Sequence, residues 1–279
     1  MTAGPEHSAR RLRAERLRAG YRAGVVIDGL TVAVPAGRVT VIVGANACGK
    51  STLLRALSRA LRPLGGVVTL DGVDLAQIPA KRLARSLGML PQQPVAPDGI
   101  SVADLVARGR YPHQGWLQRW TAADDAVVAE ALRATATTDL ADRDVAELSG
   151  GQRQRVWIAM ALAQDPDVLL LDEPTTFLDL THQLEVLDLL AELNRSRGTT
   201  IVMVLHDLNL AARYADHLLV MAAGAVLAEG APHEVITPGV LRTAFRLDAL
   251  VVPDPVTGGP LIVPRHRSPE GLEHRGDVP

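Results

Sequence analysis

The sequence predicts an α/β fold built on a mainly parallel sheet, and three observations predict it. Four short apolar runs, Val39 to Val43 (VTVIV), Leu87 to Leu90, Val168 to Leu171 (VLLL) and Ile201 to Leu205 (IVMVL), are separated by stretches of helical periodicity. Each run ends at a residue of chemical interest: Gly44, Gln92, Asp172 and His206. The first run passes through GANACGKST, Gly44 to Thr52, into Leu53, Leu54 and Leu57 at helical spacing, which reads as strand, glycine-rich loop and helix. Strands alternating with helices imply a parallel sheet, whose ligand crevice lies outside the carboxyl ends of its strands. One site would then collect all four residues.

Taken in order, Leu12 to Arg38 reads as short strands and turns, punctuated by Gly20, Gly24, Gly29 and Pro35-Ala36-Gly37. The five arginines of Arg10 to Arg18 make a solvated strand or edge face, with an anionic-lipid contact as the alternative. Tyr21 could stack on an adenine ring, or simply pack in a turn. After the glycine-rich loop and its helix, Val67 to Leu70 with Asp71-Gly72 predicts a strand and turn, and Lys81 to Arg85 a short basic helix. Leu87 to Leu90 stops at Pro91-Gln92-Gln93-Pro94.

From Ser101 to Ala163 the period is helical, carried by Val102, Leu105 and Val106, then Ala126 to Leu132, then Val156 to Leu162. Gly109 to Trp120, rich in aromatics, reads as a partly exposed loop. A helix is expected over Leu180 to Asn194 and another within Pro232 to Phe245. Leu250 to Pro264 predicts a hairpin around Thr257-Gly258-Gly259, and the polar stretch from His266 to Pro279 a disordered tail.

Composition bounds the function. The 279 residues hold one large domain or two small ones, and 47% hydrophobic residues are ample for a packed core. A formal net charge of −2 gives no case for nucleic-acid binding. The longest stretches free of Asp, Glu, Lys and Arg are twelve residues, Ser86 to Pro97 and His217 to Ala228, short of the roughly 18 to 20 that a membrane span needs. The chain is therefore expected not to cross a bilayer by itself. The polar first residues and the absence of an apolar core behind the arginines predict no signal peptide and a cytosolic site of action. Cys48 is the only cysteine, so internal disulfides and cysteine-cluster metal sites are excluded; in the loop it reads as a passive small residue rather than a reactive thiol.

The chemistry pointed to is phosphoryl transfer. GANACGKST matches G-x-x-x-x-G-K-[ST] in full. Gly44 and Gly49 let the backbone curl so that N–H groups face phosphates at a helix N-terminus. Lys50 brings a point charge to the β- and γ-phosphates, and the Ser51 hydroxyl is placed to ligate Mg²⁺. Asp172 closes VLLL where a carboxylate would reach Mg²⁺ directly or through water, and Glu173, next to it, would polarise the attacking water. His206 ends IVMVL and is expected to sense the γ-phosphate. Leu148-Ser149-Gly150-Gly151-Gln152 opens a further helix, with Ser149 as N-cap and two glycines baring N–H groups, which makes a second anion site.

GANACGKST, LSGGQ, VLLLDEP (Val168 to Pro174), TTFLD (Thr175 to Asp179) and VLHD (Val204 to Asp207), in that order over about residues 10 to 265, resemble the nucleotide-binding subunit of an ABC transporter. The resemblance implies a P-loop NTPase core with a mainly parallel sheet, an N-terminal antiparallel β subdomain, and a helical subdomain over about residues 94–165 whose cleft receives a coupling helix of a transmembrane permease subunit. It implies ATP and Mg²⁺, with ATP held by Gly44, Ala45, Asn46, Ala47, Cys48, Gly49, Lys50, Ser51 and Thr52. Tyr21 becomes the adenine-stacking aromatic, Gln92 the Q-loop glutamine and a metal ligand, Asp179 the D-loop aspartate and His206 the switch histidine. Two copies are expected to pair head to tail, so that Ser149, Gly150, Gly151 and Gln152 of one close over ATP held by the other.

VARGRYPHQ (Val106 to Gln114) and PTTFLDLTHQLEVLDLL (Pro174 to Leu190) are similar, more narrowly, to ATPases of importers for ferric siderophores, haem and vitamin B12. The expected function is ATP hydrolysis driving ferric-siderophore uptake, at the cytoplasmic face of the cell membrane and served indirectly by an extracytoplasmic substrate-binding protein. A haem or vitamin B12 importer ATPase, or an ABC-type ATPase without transport, is the alternative. A P-loop kinase or GTPase would leave LSGGQ and VLHD without a role. One departure stands out: Ala45 and Ala47 replace the usual proline and second glycine of the loop, and an alanine costs about 1 kcal/mol where φ must be positive.

Overall fold

The computed structural model describes residues 11–115, 120–176 and 178–265. The chain opens with two long antiparallel strands, β1 (Leu12–Tyr21) and β2 (Gly24–Val34), then enters a central sheet with β3 (Val39–Gly44) and leaves it in helix α1 (Lys50–Leu57). β4 (Gly65–Leu70) and the short β5 (Val73–Asp74) return to the first pair, giving an antiparallel sheet in the order β2-β1-β4-β5. Next come α2 (Ala80–Ser86) and β6 (Leu87–Leu90), followed by a helical segment: α3 (Val102–Ala107), a 3-10 turn over Arg108–His113, α4 (Ala122–Ala134) and α5 (Gly150–Ala163).

The chain then returns to the central sheet through β7 (Val168–Asp172), α6 (Leu180–Arg197), β8 (Thr200–Val204), α7 (Leu208–Tyr214), β9 (His217–Ala222) and β10 (Ala225–Gly230). Its order is β10-β9-β3-β8-β7-β6, parallel except for the β9–β10 pair. α8 (Pro232–Val235), α9 (Pro238–Phe245) and a hairpin of β11 (Ala249–Pro253) and β12 (Pro260–Pro264) follow.

Continuous apolar strands suit a sheet covered on both faces. Val39, Val41, Val43, Leu169, Leu171, Ile201 and Met203 pack with the helical segment, α6 and α7. Ile42, Val168, Leu170, Val202 and Val204 pack with α1 and the antiparallel sheet. Leu169, Leu170 and Leu171 are fully buried, and truncating one of them to alanine would cost about 2–5 kcal/mol. Among the described residues no helix is long and apolar enough to cross a membrane.

Four expectations need correction. Leu12 to Arg38 holds two long strands rather than several short ones, because register shifts between Ala14 and Gly20 break the period-two pattern, with Arg16 at φ 46. The arginines of β1 do form a solvated strand face, as expected, on a strand inside its sheet rather than at an edge; Arg13 pairs with Glu15 and Arg18 with Asp28. The stretch expected as a loop from Gly109 starts as the ordered turn Arg108–His113, while residues 116–119 lie outside the described residues. Pro232 to Phe245 holds two helices, divided where Thr237 caps the second and Pro238 takes its first position. The helix expected to end at Asn194 runs on to Arg197 and stops at Gly198, φ 67. The tail from His266 to Pro279 lies outside the described residues, as do Arg10 and Phe177.

Candidate functional site

The glycine-rich loop connects β3 to α1 and owes its path to three positions. At Gly44 any Cβ would meet the Met221 carbonyl oxygen at 2.4 Å and Cys48 Sγ at 2.6 Å, so no side chain fits. Ala47 (φ 61) and Gly49 (φ 108) take left-handed backbone, which bends the loop before α1 begins at Lys50. Lys50 is buried, and its Nζ donates to the carbonyls of Gly44 at 2.8 Å and Ala45 at 3.0 Å. Cys48 is buried behind the loop, in keeping with a packing residue.

Asp172 ends β7 beneath this loop. The Ser51 hydroxyl donates to its Oδ1 at 2.9 Å, while Oδ2 is buried with no hydrogen-bond partner. Burial pushes the Asp172 carboxyl up from the ordinary carboxylate range, against the downward pull of the Ser51 hydrogen bond and the charges of Arg55 and Lys50. A buried carboxylate oxygen without a partner, next to a hydroxyl, fits a hard cation that takes few protein ligands, such as Mg²⁺. Among the described residues there is no group of three or more His, Cys, Asp and Glu side chains that could hold a metal ion.

Glu173 follows with left-handed backbone, φ 55, uncommon for a residue with a side chain. Its carboxylate is held on both oxygens: Oε1 lies 2.6 Å from His206 Nε2, and Oε2 accepts from Gln92 Nε2 at 2.6 Å and from Thr176 Oγ1 at 3.0 Å. The glutamate side chain is 9% exposed and that of His206 46%. Gln92, Glu173 and His206, beyond the ends of β6, β7 and β8, border one cavity of about 520 Å³ with Asn46, Ala47, Gly49–Thr52 and Val26. Of the four residues expected at one sheet edge, Gln92 and His206 border this cavity; Gly44 and Asp172 do not line it, but each bonds a residue that does, Lys50 and Ser51 respectively. A cavity bordered by a lysine, the loop backbone before a helix N-terminus and a carboxylate can bind a polyphosphate and polarise water beside it.

Other expected residues do not border this cavity. Gly44, Ala45 and Cys48 complete the loop without lining it. Tyr21 is exposed at the end of β1, where its hydroxyl accepts from Arg55 at 3.3 Å. Ser149 caps α5 in a reciprocal box with Gln152, and Gly150 opens onto free space. Gly151 lies against His182, and Asp179 caps α6 while bonding His182 Nδ1 at 2.7 Å. Two residues of the site escape sequence reasoning. Val26 is brought in by a bulged strand, and Thr176 by the turn after Glu173, for which a hydroxyl three residues beyond the acid was the available signal.

The sequence profile of the family described as "ABC transporter" matches residues 27–176. The achromobactin transport ATP-binding protein CbrD of Dickeya dadantii is 56% identical over 245 residues, 88% of this chain and 91% of that protein. The ferric enterobactin transport ATP-binding protein FepC of Escherichia coli is 50% identical over 261 residues, 94% and 96% of the two chains. Among solved structures, a metal-chelate-type ABC transporter in an inward-facing conformation aligns with a TM-score of 0.79 at 31% identity, over 93% of this chain and 98% of that one. A dimeric bacterial ABC transporter cassette aligns with a TM-score of 0.71 at 26% identity, over 79% and 98%.

Proposed function

The chain belongs to the ABC transporter family, and from that premise we propose that it is the ATP-binding subunit of an importer, hydrolysing ATP to drive ferric-siderophore uptake across the cytoplasmic membrane. The observation that carries the reading is the Glu173 carboxylate, held by Gln92 and His206 over a phosphate loop whose Lys50 and Ser51 face the same cavity. The siderophore cargo is supported by relatives named for achromobactin and ferric enterobactin transport at 56% and 50% identity.

In the mechanism, the loop from Gly44 to Thr52 binds the phosphates through its N–H groups, and Lys50 leaves the Gly44 and Ala45 carbonyls to meet their charge. Ser51 and Asp172, with Gln92, would hold Mg²⁺, which would supply charge neutralisation on the phosphates. Glu173 polarises the attacking water, and His206 contacts the γ-phosphate. Tyr21 stacks on adenine, and Asp179 belongs to the seam between two copies. Ser149, Gly150, Gly151 and Gln152, which do not line their own cavity, close over ATP in a second, head-to-tail copy; the dimeric cassette among the structural neighbours supports that pairing. Residues 94–165 form the helical subdomain that meets the transmembrane permease subunits, so the protein sits peripherally at the cytoplasmic face, with an extracytoplasmic binding protein supplying cargo to the permease.

Uptake of radiolabelled ferric siderophores, haem and cobalamin by cells carrying Lys50→Ala tests this reading. Selective loss of ferric-siderophore uptake is expected. Loss of another cargo instead would keep the transport role and overturn the cargo, while undisturbed uptake of all three together with failure to co-purify with a polytopic membrane protein would overturn transport itself.

A further inference from the structure

Thr176 donates its hydroxyl to Glu173 Oε2 at 3.0 Å, and its backbone N–H donates to the Glu173 carbonyl at 3.2 Å. Both contacts belong to one tight turn, which starts from the left-handed backbone of Glu173 at φ 55. The other two holds on the carboxylate differ in kind. Gln92 arrives from beyond β6, 81 residues away in sequence, and His206 from beyond β8. Their grip depends on how separate strands and loops are disposed around the cavity.

We propose that Thr176 is a positioning residue for hydrolysis, its hydroxyl aiming the Glu173 carboxylate at the attacking water; this rests on the reading above that Glu173 polarises that water. Gln92 and His206 both hold Glu173 through their Nε2 atoms, and the roles proposed above for them, on the cation and the γ-phosphate, would draw those side chains toward the nucleotide. When Gln92 and His206 change partners, the carboxylate loses two of its three restraints. The Thr176 bond spans only three residues, needs no movement of another element, and stays. Charge-assisted hydrogen bonds are directional as well as strong, so this one fixes where the carboxylate points. A small misplacement of a reacting group is enough to slow the chemical step.

Valine has the shape of threonine without its hydroxyl, and serine has the hydroxyl without the methyl, so the two substitutions separate packing from hydrogen bonding. ATPase kinetics of the purified full-length protein would be measured for Thr176→Val, Thr176→Ser and, as a reference, Glu173→Gln. Thr176→Val is expected to lower kcat about 10- to 100-fold with KM for ATP changed less than about twofold, because the lost contact acts on the transition state and not on ATP binding. Thr176→Ser is expected to retain turnover within about threefold of the wild type, since its hydroxyl can make the same bond.

Full turnover in Thr176→Val, or an equal loss in Thr176→Ser, would overturn the assignment. If the valine variant does not fold, Thr176→Ala takes its place with the same expected loss. Inactive Glu173→Gln beside fully active Thr176→Val would reject Thr176 alone, whereas wild-type turnover in Glu173→Gln would reject the role of Glu173 and this inference with it.

Discussion

The hydroxyl of Ser51 donates to Oδ1 of Asp172 at 2.9 Å, while Oδ2 of the same carboxylate is buried without a partner. An unsatisfied buried acceptor is costly, and a group that leaves one oxygen bare beside a phosphate loop is arranged for a ligand. Asp172→Asn keeps the shape and removes the charge. The Mg²⁺ concentration for half-maximal ATP hydrolysis is expected to rise about 10- to 100-fold in this variant. A titration with Mg²⁺ at fixed ATP checks this, and an unchanged midpoint would remove Asp172 from the metal site.

Glu173→Gln leaves the phosphate loop and the Ser51–Asp172 pair untouched but takes away the proposed base. Hydrolysis should fall about 10²- to 10⁴-fold with ATP binding kept. ATP then persists, so an ATP-bound dimer should accumulate, visible by light scattering on adding Mg-ATP. Wild-type turnover would take Glu173 out of the mechanism.

Much of this site was legible in the sequence because its parts are local. The loop, Asp172 and Glu173 follow directly from strands whose apolar runs match β3 and β7 closely, and Gln92 and His206 stand two residues beyond the ends of β6 and β8. What was not legible depends on contacts between distant segments. The turn at Arg108–His113 looks like a loop because Gly109 and Pro112 break its pattern, yet it is ordered from outside. Arg110 donates to Asp124 at 3.0 Å and to the Ala163 carbonyl at 2.8 Å, and a Cβ on Gly109 would meet the Met160 carbonyl oxygen at 2.3 Å. The bulges of β1 hid its length in the same way, and the contact of Thr176 with Glu173 exists only because Glu173 is left-handed.

Ala47 was suspect in the sequence and does take positive φ, 61. A non-glycine residue there costs about 1–2 kcal/mol, more than the roughly 0.4–1 kcal/mol by which alanine stiffens the unfolded chain relative to glycine. Ala47→Gly should therefore raise stability by roughly 0.5–1 kcal/mol. Urea unfolding at pH 7 measures it, and a loss of stability would show that the Ala47 methyl contributes packing that outweighs its strain.

Asp254 lies 41 residues beyond Arg213 in sequence, yet its Oδ2 accepts from the guanidinium at 2.8 Å and its Oδ1 from the Val256 N–H at 2.8 Å. These bonds tie the β11–β12 turn to α7, which starts two residues after His206, and Asn209 adds a two-way clasp to the backbone of Ile262. The Arg213 hydrogen bond, followed by the Val256 N–H, holds the Asp254 carboxyl down at about 2. An unfolded aspartate titrates near about 3.9, so the unfolded chain takes up the proton first as pH falls. The stabilisation is complete above that value, shrinks as pH drops toward about 2 and is gone below it. Asp254→Asn should thus melt at a lower temperature than the wild type at pH 7. The gap should hold from pH 7 to about 5 and narrow by about pH 3, where the unfolded wild-type chain has largely taken up the proton that the folded Asp254 still refuses. Paired thermal melts across that range check the sign, and a gap independent of pH would mean that the asparagine disturbs the turn itself, not the ion pair.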